Sequence, residues 1–417
     1  MNHPGQRRGD LAPGFWRFWW GEAVSGFGTA FTSLALQTLV VVTLSGGAIE
    51  VGWLNTARWL PYLVLGLVVG ALVERVRRRP AMMATDLTRA VLLAVIPVAW
   101  MLNVLTFPLL LIVVVMFGTV SLVNDAASMS FVPRIVPRTQ LQRAHARLDG
   151  ADAVAQTAGP AVAGALIRIV GAPLAVLVDA VSYLFSAAMM ATLRNVTEPI
   201  PSHSTKMHVR ALAGEVRDGA QWVYGGSGLA RLAVATHIWF AAHAVLLVVV
   251  APYSFLQLDL SAFQLGLVYA VAGVGALIGA VLSTTVGKRL GTGGAIICTY
   301  AVSSISAAVM PTAGLVPAGW SAAAVLAAGQ FGHGWAMGVG NSHEMSYRQA
   351  LTPDGLQART NTTMRSLNRA VIVVVSPLAG LAAERLGYAP VLAAAATVFA
   401  VSALLLVLSP FRRAQIG

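Results

Sequence analysis

Apolar residues run through this chain in blocks of about 20, the length a helix needs to cross a bilayer. Twelve blocks can be recognised, centred near Phe31, Leu63, Leu93, Val115, Val162, Tyr183, Val245, Gly275, Ser303, Gly332, Val374 and Val398. The one long polar interruption, Asn195 to Gly228, divides them six and six. Within it, Leu212, Val216 and Trp222 recur at helical spacing, so Val209 to Trp222 is either a helix lying on the membrane face or a plain linker. The pattern predicts an all-α membrane protein, with twelve transmembrane helices in two pseudo-symmetric six-helix bundles. Residues 1–193 form the first bundle, 194–228 a cytoplasmic linker and 229–417 the second bundle.

The division reflects a duplication. A shift of 216 positions places Met129-Ser130 on Met345-Ser346, Pro137 on Pro353, Arg143 on Arg359, Gly164 on Gly380 and Gly171 on Gly387. Five matches in one register, across the same pair of helices in each half, identify the halves as homologous. Gly70-Ala-Leu-Val has a fainter echo in Gly279-Ala-Val-Leu, and Lys288-Arg289 follows it.

Composition agrees: of 417 residues, 57% are hydrophobic and 11% charged, so the core is a bundle in a bilayer. The formal charge of +12 raises the question of nucleic acid, but its distribution answers it. Arg75, Arg77, Arg78, Arg79, Arg134, Arg138, Lys206, Lys288, Arg289, Arg412 and Arg413 fall in alternate gaps, whereas the gaps near Ser45 to Glu50, Asn103 to Phe107 and Thr312 to Gly319 carry almost no positive charge. This asymmetry fixes topology, with both termini in the cytoplasm of a bacterial inner membrane, and gives no role to nucleic acid. The lone Cys298 excludes an internal disulfide and any multi-cysteine metal site; neither metal nor cofactor is expected.

Polar residues inside the blocks repeat at steps of three and four, which puts them on single helix faces. The first block carries Glu22, Ser25, Thr29 and Ser33; the fourth Gly118, Ser121, Asp125 and Ser128; the seventh Thr236, Phe240 and His243; the tenth Gln330, His333, Met337, Asn341 and Glu344. These are the first helices of successive triplets, so a three-helix repeat lining one path accounts for the pattern. An ionised group in lipid costs about 2.5 to 3.5 kcal/mol even on a lenient scale, which argues for a path. Against that, Glu344 near the interface is open to simple solvation, and a deep His333 to a neutral hydrogen-bonded role. Arg58 needs a partner, and Asp179 is the candidate at its height. Asp86 and Arg89 can pair locally, and Asp149 and Asp152 are expected to cap the fifth helix. Gly159-Pro160 to Gly164 in the fifth helix, and Ser376-Pro377 to Gly380 in the eleventh, read as a kinked, close-packed pair between the halves, either a hinge or ordinary tight packing.

Over nearly its whole length the chain resembles the major facilitator superfamily of secondary transporters. Gly70-Ala-Leu-Val-Glu74-Arg75-Val-Arg77-Arg78-Arg79 stands where that family has Gly-x-x-x-Asp-Arg-x-Gly-Arg-Lys, and Ala155-x-x-x-Gly159-Pro160-x-x-Ala163-Gly164 where it has the antiporter signature. Val132 to Pro137, Asp179 to Ser182 and Arg348-Gln349 are similar to the twelve-helix drug and macrolide exporters. The resemblance implies a gating latch from Gly70, Glu74, Arg75 and Arg79 and an antiporter hinge from Gly159, Pro160, Gly164, Pro377 and Gly380. Two departures stand out: Thr29 occupies the place where many relatives carry Asp in Ser-x-x-Gly-Asp, and the fourth-helix arginine motif is missing. A proton carrier must then be Glu22 or Asp125, with Glu344 and His333 behind them.

The expected function is export of lipophilic or amphipathic small molecules by alternating access with proton exchange, by a monomer in the bilayer. Ser25, Thr29, Ser121, Phe240, His243, Gln330, Met337 and Asn341 are the substrate-path candidates. Alternatives are a dedicated siderophore or metabolite exporter and a transport-inactive receptor or scaffold. No Gly-x-Ser-x-Gly, His-Glu-x-x-His or P-loop pattern points to an enzyme. If the Glu74 latch operates, Glu74→Gln lowers transport with normal membrane insertion, measured as efflux at matched protein content; wild-type efflux would return the stretch to a topology signal.

Overall fold

The structure is a computed structural model that describes residues 11–73, 76–193, 209–226 and 228–415. Its helices are α1 (Pro13–Thr38), α2 (Ala48–Val73), α3 (Arg78–Met101), α4 (Phe107–Ile135), α5 (Leu141–Val170), α6 (Ala172–Ala191), α7 (Val209–Tyr224), α8 (Ala230–Pro252), α9 (Ala262–Val309), α10 (Trp320–Leu351), α11 (Gln357–Leu386) and α12 (Tyr388–Val407). Among the described residues, nine helical segments are long and apolar enough to cross a membrane. α9 supplies two rods, because its 48 residues are broken at Gly291, where φ is 69°. α2 and α10 have 26 and 32 residues, lengths of about 39 and 48 Å at 1.5 Å per residue. With α7 set aside, each of the twelve expected centres lies in its own rod.

α7 is the amphipathic segment foreseen in the central interruption. It packs on α11, where Arg359 donates to Asp218 Oδ2 at 2.9 Å. It is therefore a docked helix and not a plain linker.

Duplication is visible in the backbone. The bounds of α5 and α6 shifted by 216 are those of α11 and α12. The α5–α6 and α11–α12 turns both pass through a glycine, Gly171 at φ 81° and Gly387 at φ 90°, a region that β-carbon sterics close to other residues. Glu50 Oε2 accepts from Gly47 N at 2.7 Å, and at the equivalent helix start Gln264 Oε1 accepts from Ser261 N at 2.8 Å.

Within each half, helices pack on their neighbours; between halves, the main seams are α2 with α11 and α5 with α9. The fifth and eleventh helices do not pair with each other as the sequence pattern implied. Instead each docks on the opposite half, and the seams are symmetric. A Cβ on Gly164 would strike the Ala262 carbonyl, and one on Gly380 the Ala48 carbonyl; one on Gly266 would strike the Pro160 carbonyl, and one on Gly52 the Ser376 carbonyl. Small residues are needed here because lipid gives helices no hydrophobic reason to associate, so close backbone packing must supply it. Hydrogen bonds reinforce the α2–α11 seam, from Asn55 Nδ2 to Ser376 Oγ at 2.8 Å and Thr56 Oγ1 to the Val373 carbonyl at 3.0 Å, and Tyr269 OH of α9 donates to Gln37 Oε1 of α1 at 3.2 Å.

These contacts occupy one end of the bundle, the end opposite the chain termini. Toward the terminus-bearing end, Val64 of α2 is 63% exposed and Val154 of α5 59% exposed, on outward stripes that also expose Trp53 and Val162. Gly266→Leu should therefore wedge the closed end open. A cysteine placed by Asn55→Cys in a Cys298→Ser background reports it: an impermeant thiol reagent is expected to label it faster when Gly266→Leu is added, and equal rates would refute the seam's role.

Candidate functional site

In the first half, α1, α3 and α4 bring acids together around an open cavity of about 300 Å³, lined by Glu22, Ser25, Thr29, Arg89, Asn124 and Asp125 among others. Helical spacing aims Glu22 and Asp125 at this space, as the stripes on α1 and α4 predict. Ser128 donates to Glu22 Oε2 at 3.1 Å, and Tyr62 of α2 donates to Asp125 Oδ2 at 2.7 Å. Behind them Asp86 and Arg89 form a buried ion pair, the local pairing expected from their spacing. The Arg89 guanidinium lies 4.0 Å from the ring centre of Tyr183, whose hydroxyl is 2.8 Å from Thr29 Oγ1. Thus Arg89 is neutralised on one side and covered by an aromatic face on the other. Ser121 is buried, and its Oγ has no partner among the described residues.

Two expectations are corrected here. α5 begins at Leu141, so Asp149 and Asp152 lie well beyond its first turn, too far along to cap it; both line the cavity. Arg58 does not meet Asp179. Its guanidinium donates to Ser33 Oγ at 2.8 Å, while Asp179 is fully buried and accepts from Ser182 Oγ at 3.0 Å. Height along the helix was right for both, but Asp179 turns toward Gly28 of α1, whose missing side chain makes the room.

In the second half the stripes of α8 and α10 meet in the bundle interior. His243 Nδ1 and His333 Nε2 are 3.0 Å apart. The indole of Trp239 stacks on both imidazoles, at 5.0 and 5.5 Å between centroids, and donates to Ser303 Oγ at 3.3 Å. Phe240 meets Trp239 edge-on at 5.2 Å. His333 is only 4% exposed and Gln330 is buried, Met337 packs against the core, and Asn341 is exposed. Thr236 Oγ1 lies 2.9 Å from Tyr300 OH, and Glu344 faces both hydroxyls and Arg348. The halves are reciprocal: Thr236 holds the place of Glu22, and Glu344 that of Ser128. Each half sets one carboxylate against one hydroxyl, with the carboxylate on opposite helices of the repeat. The structure thus brings Glu22 and Asp125 together with Ser25 and Thr29, and gathers His243, His333 and Phe240 separately.

Sequence reasoning missed Trp59, Tyr62, Trp239 and Arg369. Arg369 of α11 stands over Tyr62 at 4.8 Å and Trp59 at 5.8 Å, across the seam between halves. An arginine in the middle of an apolar block was the available signal, the same one that singled out Arg58. Beside it, His237 bridges Asn368 and Tyr224, each at 2.6 Å. Of the motif between α2 and α3, Arg79 donates to the carbonyls of Met190 and Ala191 at 2.9 and 2.8 Å, at the end of α6. Gly70 lies within α2; Glu74 and Arg75 fall outside the described residues. Gly159 abuts Ala30 of α1, and Pro377 abuts Gly52, so both proline motifs sit in helix contacts.

A family model described as Major Facilitator Superfamily matches residues 18–370. Macrolide efflux protein A of Streptococcus pyogenes is 25% identical over 183 residues, 43% of this chain and 44% of that protein, so the match spans less than half of the relative. A bacterial homologue of the iron transporter ferroportin, solved in an inward-facing state, superposes with a TM-score of 0.76 at 16% identity, covering 95% of this chain and 98% of that one. The nucleoside transporter NupG gives a TM-score of 0.74 at 10% identity over 94% and 99%. At these identities the structural likeness speaks for the fold.

Trp239 touches more of the second-half cluster than any stripe residue. Trp239→Ala should cost about 3 to 5 kcal/mol, the range for a buried large aromatic, and Phe240→Ala clearly less. Thermal unfolding of the purified protein in detergent checks the order; equal losses would contradict it.

Proposed function

The chain belongs to the Major Facilitator Superfamily, and on that premise we propose that it is a secondary active exporter of lipophilic or amphipathic organic compounds, working by alternating access with proton exchange. The observation that carries this reading is the pairing of backbone-close seams between the halves, at the end away from the termini, with an open cavity toward the other end that holds Glu22 and Asp125. Alternating access needs two such states, and backbone seams between rigid bundles favour two discrete arrangements over a continuum. The arginine asymmetry turns the open end to the cytoplasm of a bacterial cell, the side from which an exporter loads.

In this reading residues 1–193 and 229–417 rock as bodies about the linker 194–228, in a monomer. Glu22 and Asp125 are the proton carriers, since each is a carboxylate at the cavity wall with one hydroxyl donor and room for water. Glu344 is their counterpart in the second half. Gly70, Glu74, Arg75 and Arg79 latch the cytoplasmic end when the seam opens. Likeness to a macrolide efflux protein favours organic cargo and the outward direction.

Everted membrane vesicles loaded by dye uptake test the proposal. An acidic lumen is expected to drive accumulation that a protonophore abolishes, and Glu22→Gln or Asp125→Asn should remove the dependence on the gradient. Uptake indifferent to the gradient in the wild type removes proton exchange; absence of uptake for any lipophilic compound removes export.

A further inference from the structure

Arg58 and Arg369 are half-buried cations deep in the spans, and among the described residues neither lies within ion-pair distance of an acid. Arg58 lies ten residues into α2 and Arg369 twelve into α11, roughly 15 and 18 Å from the helix starts at 1.5 Å per residue. Among the described residues neither forms an ion pair within 4 Å. Among the described residues Arg58 gives a hydrogen bond to Ser33, and Arg369 makes ring contacts with Trp59 and Tyr62. Both guanidinium groups attend the same indole, at 5.9 and 5.8 Å from the centre of Trp59. Asp125 is the acid within electrostatic reach of both, but its Oδ2 is engaged by Tyr62.

Other arginines in the protein show what a settled cation looks like. Arg89 has Asp86, and Arg359 has Asp218. A guanidinium at this depth is costly, and one kept without a counter-ion faces a cavity or a ligand. Stacking covers the face of the group and leaves the edge, where its N–H donors lie in a plane suited to an oxyanion. The two arginines come from opposite sides of the α2–α11 seam, so one anion held there would touch both halves.

We propose that Arg58 and Arg369, with the rings of Trp59 and Tyr62, are the oxyanion-recognising part of the transport site, and that the cargo is an amphipathic aromatic compound bearing an acidic group. This rests on the exporter reading and narrows its substrate class. Trp59 and Tyr62 supply the aromatic surface, and Arg369 supplies the charge-assisted hydrogen bonds.

Two planar dyes of opposite charge separate the possibilities in everted vesicles: fluorescein, an anion, and ethidium, a cation. Fluorescein is expected to be carried by the wild type. Arg369→Gln should raise its KM about tenfold or more, the effect of losing one hydrogen bond to a charged group. Arg369→Lys should restore part of the loss, and ethidium kinetics should not change. Transport of ethidium without fluorescein overturns this inference and leaves export standing. So does an Arg369→Gln variant that slows both dyes alike at unchanged KM, which marks the arginine as part of the gate. If neither dye moves at verified protein content, this inference falls, and the exporter reading is decided by the uptake of other lipophilic compounds.

Discussion

Backbone contact between helices of opposite halves is the constraint on which the rest of this structure depends. At four positions, Gly52, Gly164, Gly266 and Gly380, a helix from one half lies so close to the other that no side chain fits. Such contacts are short-ranged and lack rotamers, so they are either made or broken. Toward the termini from these contacts, a cavity opens within the first half, between α1, α3, α4 and α5. The few hydrogen bonds between the halves would not hold them alone, since each contributes about 1 kcal/mol. Dispersion over the long helix faces supplies the remainder.

The polar interior is arranged by the same repeat, with its chemistry exchanged. In the first half the carboxylate is on α1 and the hydroxyl on α4; in the second the hydroxyl is on α8 and the carboxylate on α10. Asp86 and Arg89 stand where the second half has Tyr300 and Ser303. One half is thus built around charges and the other around neutral hydrogen bonds and a stacked indole. The charged half faces the cavity of about 300 Å³, which lowers the cost of keeping acids in a bilayer. The neutral half closes over His333, leaving its Nδ1 without a partner among the described residues.

Much of the fold was legible because a bilayer imposes one length and one period. Twelve apolar blocks became twelve rods, and the five matched positions at a shift of 216 were true equivalents, as Gly171 and Gly387 demonstrate in their backbone angles. Most members of the polar stripes lie together, with Asn341 exposed, since spacing alone determines which residues share a helix face. Spacing says nothing about which neighbour that face meets. Hence Arg58 was assigned to Asp179 by height and found on Ser33, and the proline motifs of α5 and α11 were paired with each other when each belonged to the opposite half's α9 or α2. The first acids of α5 were misread for a simpler reason: the helix starts two turns earlier than the apolar block does.

By itself the sequence determined how many apolar rods the chain forms, which residues share a helix face and that the halves are copies. These are local or additive properties, fixed by hydropathy and charge along the chain. The tertiary structure alone decided that Glu22 and Asp125 share a cavity, that Trp239 joins His243 to His333, and that Tyr62 and Arg369 meet across the seam. Those bring together residues 90 to 307 positions apart, and their geometry depends on how rigid helices cross, which no periodicity along a single helix encodes.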